Sequence, residues 1–147
     1  MLEVELKAGD IFTWQNYPLF MDEFKSQRWL LYLGHNSIQA LVYQISTTTQ
    51  YQHYISGGGR TGHNYFKMPA GTGGLTKESI LDFYFFEYVP ETLLNQCKAD
   101  ITKTGSLNQD VINKFIKHLK IDTHISKIIK RDISGYLRTA GFKVTYP

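Results

Sequence analysis

The chain has 147 residues, 42% hydrophobic and 20% charged, with a formal net charge of +3. That length suits about one domain with a real core, and the composition argues for a folded protein against a disordered one. Cys97 is the single cysteine, which excludes a disulfide framework and points to a reducing, cytoplasmic setting.

In chain order, the N-terminal "MLEVELKAGD" carries acids where a signal peptide would carry bases, and no apolar core follows it. The apolar runs are too short for a membrane span, so no membrane partner is expected. "GDIFTWQNY" reads as a turn followed by a β-prone run. "RWLLYL", "ALVYQISTTT", "NYFKM" and "ESILDFYFFEYV" read as further strands, each bounded by Gly, Asn, Ser or Pro. Strands with turns between them and no intervening helix predict an antiparallel barrel or sandwich over residues 1–90.

From Pro90 the period changes, and residues 91–147 read as a helical extension packed on or beside that barrel. Glu91–Ile101 is predicted helical after a proline start. Val111, Ile112, Phe115, Ile116 and Leu119 form one helical stripe, with Ser106 and Gln109 at capping-box spacing. Ile125, Ile128, Ile129, Ile133, Tyr136 and Leu137 form another, which Gly141 would end. Charge divides at the same point: six Lys/Arg stand against eight Asp/Glu in residues 1–90, and ten against five in 91–147. The basic tail points to an anionic partner or to a solvated helical face.

The glycine-rich stretches "SGGGRTGHN" and "GTGGLTKES" lack a following helix and the GK[ST] ending, so they read as hairpin loops and not phosphate cradles. The five histidines show neither HExxH nor a close pairing with carboxylates, and no metal is expected. His53 and His63 fall in or near loops, where acid–base roles compete with a simple surface reading.

The stretch "RWLLYLGHNSIQALVYQISTTT" holds the sharper signal. Folded as a hairpin centred on Ser37, it sets Leu33 against Leu41, Leu31 against Tyr43, Trp29 against Ile45 and Arg28 against Ser46. The odd-numbered pairs make an apolar face, and Arg28/Ser46 and Leu30/Gln44 lie on the other. Directly opposed Cβ atoms lie about 4.5–5.5 Å apart, so a guanidinium and a hydroxyl would meet at the end of the hairpin. Together they suit a phosphate. Alternatively, Arg28 merely covers a sheet edge, and the threonines serve β-propensity.

These segments resemble the MazF/PemK toxins. "LKAGDIFTW" is similar to their opening strand, "RWLLYLGHN" to the second, "LVYQIS" to the third and "GGLTKESILDFYFFEYVP" to the segment that closes with a long apolar strand. The resemblance covers about residues 7–90. It implies an α+β protein with a small antiparallel SH3-like β-barrel, usually a homodimer, acting in the cytoplasm as a metal-independent endoribonuclease on single-stranded RNA. It implies no cofactor, and neutralisation by an antitoxin. Carried over, the catalytic arginine falls on Arg28 and the catalytic threonine on Ser46, or on Thr47 if the register moves by one. Trp14, Tyr17 and Phe20, with Thr48 and His53, would contact RNA. The sequence departs from the family at Trp29, where proline is usual, and at Glu87, where an arginine is common. The alternative reading is a catalytically idle barrel that binds protein or nucleic acid. A gyrase-poisoning toxin of the CcdB kind is a third, but its C-terminal residues find no match here.

Overall fold

The computed structural model describes residues 2–18, 27–55 and 57–147, the side chains of 47–50 excepted. Within them the β-branched and aromatic runs form six strands: β1 (Asp10–Trp14), β2 (Arg28–His35), β3 (Gln39–Thr47), β4 (Tyr65–Met68), β5 (Ser79–Pro90) and β6 (Ile101–Ser106). All pairings are antiparallel, in the order β4-β5-β3-β2-β1-β6. Three α-helices follow or interrupt this sheet: α1 (Glu91–Gln96), α2 (Gln109–Ile121) and α3 (Lys127–Thr139).

The sheet is α+β as expected, but it does not close into a barrel by strand pairing. β4 is only four residues long and is followed by Pro69, which has no N–H to donate. The turn at 72–74 bridges the gap instead. Gly73 and Gly105 meet backbone to backbone, and a Cβ on Gly105 would lie 2.7 Å from the Gly73 carbonyl carbon. Thr104, at a register shift between β1 and β6, donates from Oγ1 to the Gly73 carbonyl at 2.7 Å and to the Ile11 carbonyl at 3.1 Å.

Two differences from the expected elements have clear causes. The helix begun at Glu91 stops at Gln96, and the chain extends again as β6, whose Ile and Thr residues pair with β1. Ser106 does not cap α2. It donates to buried Asp10 at 2.6 Å, and Asn108 caps the helix by accepting from the Val111 N–H at 3.0 Å.

The hairpin register is as expected from Trp29↔Ile45 to Tyr32↔Val42, then slips, so that Gly34 and not Leu33 faces Leu41. Gly34 sits at φ +125°, which a β-carbon disfavours, and a Cβ there would lie 2.4 Å from the Tyr136 ring on α3.

Both faces of the sheet are covered. On one, Leu31, Leu33, Tyr43, Leu81 and Phe83 pack with the stripes of α2 and α3. Ile128 departs from its stripe and is exposed. On the other face, Phe12, Trp14, Tyr17, Leu30, Tyr32 and Val42 form a second cluster with Leu94 of α1. At the end of α3, Gly141 at φ +103° lets its N–H reach the Arg138 carbonyl at 3.0 Å while the Phe142 N–H reaches Leu137 at 3.1 Å. That double closure satisfies the last carbonyls of the helix.

Candidate active site

Strand parity brings the polar residues of three strands to one face. The β2–β3 pairing ends at Trp29↔Ile45, and Arg28 pairs with Trp14 of β1; by strand alternation Arg28 and Ser46 both fall on the face opposite Ile45. Ser46 pairs in turn with Ile80 of β5, and Asp82, two residues on, shares that face. Arg28, Gln44, Ser46 and Asp82 therefore line one side of three adjacent strands.

At the Arg28 end the polar groups are already engaged. The Glu87 carboxylate accepts from the Tyr17 hydroxyl and from the Gln44 side-chain amide. Burial pushes the Tyr17 hydroxyl up, the hydrogen bond to Glu87 adds to this, and Arg28 pulls against both. Arg28 thus lies within electrostatic reach of a tyrosine–carboxylate pair. Its Nη1 also donates to the Gln27 carbonyl at 3.4 Å. A cleft of about 20 Å³ lies beside Ser46, lined also by Trp29, Leu75, Thr76 and Lys77. It has room for one water and none for a base, so any polymer would lie across this end and not in it.

The remaining predicted residues are distributed differently. Trp14 and Tyr17 are buried in the second cluster, ring edge to ring face at a centroid distance of 5.1 Å. Phe20 lies outside the described residues. Thr47 pairs through its backbone with Ser79, and Thr48 opens a 3-10 turn that ends at His53. The His53 carbonyl accepts from the Arg60 N–H at 2.6 Å.

β5 also carries a polar group of which sequence reasoning singled out only His63, as a loop residue with an acid–base role among its readings. Asp82, 1% exposed, accepts from three donors: His63 Nδ1 at 2.6 Å, the Tyr54 hydroxyl at 2.8 Å and the Tyr84 N–H at 2.8 Å. Arg60 donates to the Tyr54 hydroxyl at 3.4 Å, and its guanidinium lies 4.7 Å from the centre of the Phe85 ring. Burial raises the Tyr54 hydroxyl, with Asp82 adding to the shift and Arg60 opposing it. A signal for this group did exist: Asp82 in "SILDFYFF" and Gln44 in "LVYQIS" are polar residues inside apolar strand runs, where burial demands partners.

Among the described residues, no three His, Cys, Asp or Glu side chains stand together as a metal site. No helix among them is long and apolar enough to cross a membrane. Neither a family model nor a curated protein matches the chain.

Proposed function

We propose that the chain is a MazF/PemK-like toxin, an endoribonuclease that cuts single-stranded RNA in the cytoplasm, works as a homodimer and is silenced by an antitoxin. On this reading the curled sheet, with its 72–74 turn lying on β6, is a partly open form of the SH3-like barrel. What supports the reading is that strand alternation puts Arg28 and Ser46 on one sheet face, each next in its strand to the Trp29↔Ile45 pair.

The chemistry suits those two groups. The 2′-hydroxyl of RNA attacks the adjacent phosphorus, its O–P bond forms as the bond to the 5′-oxygen breaks, and a cyclic phosphate results. Such a path needs neither a protein nucleophile nor a metal. It needs alignment and stabilisation of the extra negative charge on phosphorus. Arg28 supplies a fixed positive charge and a forked donor, while its high pKa makes it a poor proton source. Ser46 donates to a non-bridging oxygen or orients the 2′-hydroxyl.

The test is purified protein with mixed single-stranded RNA in EDTA. Products ending in cyclic phosphate are expected, with Arg28→Ala slower by about 10²–10³-fold and Ser46→Ala by less. Intact RNA, or equal cleavage by Arg28→Ala, would refute the proposal. Glu87 favours a second reading, because a carboxylate bonded to Tyr17 and Gln44 stands close to the expected phosphate position. A catalytically idle module would show salt-sensitive RNA binding with no product, or binding to protein alone.

A further inference from the structure

We infer that the cleft between α2 and the closing segment 143–146 binds the phosphates of a single-stranded RNA. The ribonuclease reading above supplies the choice of polyanion, and no contact with Arg28 or Ser46 is required.

The cleft measures about 220 Å³ and is lined by Lys117 and Lys120 of α2, by Lys143 and Thr145 of the segment, and by Asn113. That is far above the about 10–15 Å³ that one water needs. Asn113, Lys117 and Lys120 stand four and then three positions apart, which puts them on one stripe of the helix. Opposite them, exposed Lys143 and Thr145 flank buried Val144, which anchors that wall in the core. Lys120 Nζ also lies 5.4 Å from the centre of the Tyr146 ring, an attraction that holds it beside the cleft. Among the described residues, no carboxylate pairs with any of the three lysines.

Hydrogen bonding around the cleft leaves donors free and uses up acceptors. A backbone N–H can only donate, so the Gln109 oxygen is the atom that accepts from the Lys143 N–H at 2.9 Å. Gln109 Nε2 is then the donor end, and it serves the Lys143 carbonyl at 2.9 Å and the Asn113 side-chain oxygen at 2.8 Å. Asn113 is thereby oriented too, with its N–H₂ left to donate. Arg138 Nη1 occupies the Val144 and Tyr146 carbonyls at 3.1 and 2.8 Å. What lines the cleft is three ammonium groups, one amide N–H₂ and one hydroxyl. An anion with several oxygens satisfies such a wall, and a cation does not. Three fixed charges exceed the single charge of one phosphodiester, so successive phosphates of a strand suit it better than one alone. Lysine meets phosphate as a point charge, without the forked geometry of arginine. A contact of this kind positions the strand and carries no preference among bases.

The experiment titrates the full chain with a fluorescent single-stranded RNA oligonucleotide at a series of salt concentrations. Its sugars are 2′-O-methylated, so attack by a 2′-hydroxyl cannot cut it. Wild type is compared with Lys117→Gln, Lys120→Gln and Lys143→Gln, singly and together, with Lys117→Arg/Lys120→Arg/Lys143→Arg and with Lys98→Gln. Thermal unfolding identifies which variants are folded. Wild type should bind, and the slope of log K against log salt should flatten by about 0.7 for each cleft lysine removed. The triple arginine variant should keep the wild-type slope. So should Lys98→Gln, whose ammonium is already paired with Glu3. No binding by wild type, or an unchanged slope in the folded glutamine variants, would overturn the inference. Flattening by Lys98→Gln as large as that from one cleft lysine would do the same. So would lysine-dependent binding of a poly-aspartate peptide, or of phosphatidylserine vesicles, as tight as that of the RNA. Cleavage of ordinary RNA by wild type alongside an unchanged slope would leave the ribonuclease reading standing without this one. Lysine-dependent binding with ordinary RNA left intact would remove the ribonuclease reading and keep the cleft.

Discussion

Single residues here do their work through what they are denied as much as through what they touch. His118 on α2 is stacked on Phe66 at 5.2 Å and on Phe83 at 5.9 Å, with Nδ1 at 2.8 Å from the Asn64 side-chain oxygen. Burial lowers its pKa below the ordinary 6.5, and Lys117 pushes the same way. The folded protein therefore favours the neutral ring and the unfolded chain takes up the proton more readily. Stability is complete above 6.5 and is lost as the pH falls from there through the lower folded value. Urea unfolding at a series of pH values should show that decline, and His118→Gln should flatten part of it. A slope identical in the two proteins would assign the effect to other groups.

Residue partnerships also explain what sequence reading recovered of the site. Arg28 and Ser46 belong to one local hairpin, and a two-residue period with one turn was enough to predict the register from Trp29↔Ile45 to Tyr32↔Val42 beside them. His63 and Asp82 lie 19 positions apart, joined across a connector and a strand whose pairing no local period reveals. Trp14 and Tyr17 are aromatic residues beside a loop, which fits a stacking surface in sequence, but their rings are taken by the second cluster. Aromatic identity does not disclose which side of a sheet a ring will occupy.

Elements are fixed by how they end and what they lean on. Lys130 of α3, only 7% exposed, sends its ammonium to the carbonyls of Lys120 (3.2 Å) and Asp122 at the close of α2. A cation there satisfies orphan carbonyls and complements the negative end of the helix. Lys130→Met would keep the bulk but strand those carbonyls, at a cost of about 1–3 kcal/mol, visible as a lower urea midpoint with an unchanged slope. The contact between β2 and α3 is equally demanding. Gly34→Ala should destabilise by about 1–3 kcal/mol through overpacking, and more from its backbone angle. Tyr136→Ala in the same chain should return part of the loss, because the ring is the obstacle. Additive losses would show that the backbone angle alone is responsible. The first five strands and α2 and α3 were readable because their apolar residues keep a regular period. β6 was not, because "ITKTGS" is short and earns its strand character from β1, some ninety residues earlier in the chain.

At the scale of the whole molecule, the segment after Pro90 is woven into the part before it. β6 completes the sheet beside β1, and Phe115, Ile112, Ile133 and Leu137 share a core with Leu31, Tyr43 and Phe83. One cooperative transition is expected, with fluorescence and far-ultraviolet dichroism midpoints coinciding. A chain ended at residue 90 should show no cooperative transition at all. Two separated transitions in the full chain would mean that the halves fold independently.

The glycine contact where the 72–74 turn meets β6 bears on solubility. An outer strand with bare amides invites a stray strand to add to it. Here that flank is occupied by the chain's own backbone, at a spacing no side chain could enter. A bulky residue at Gly105 would lever the turn away and unmask the flank, converting a quiet surface into a template for fibrous growth.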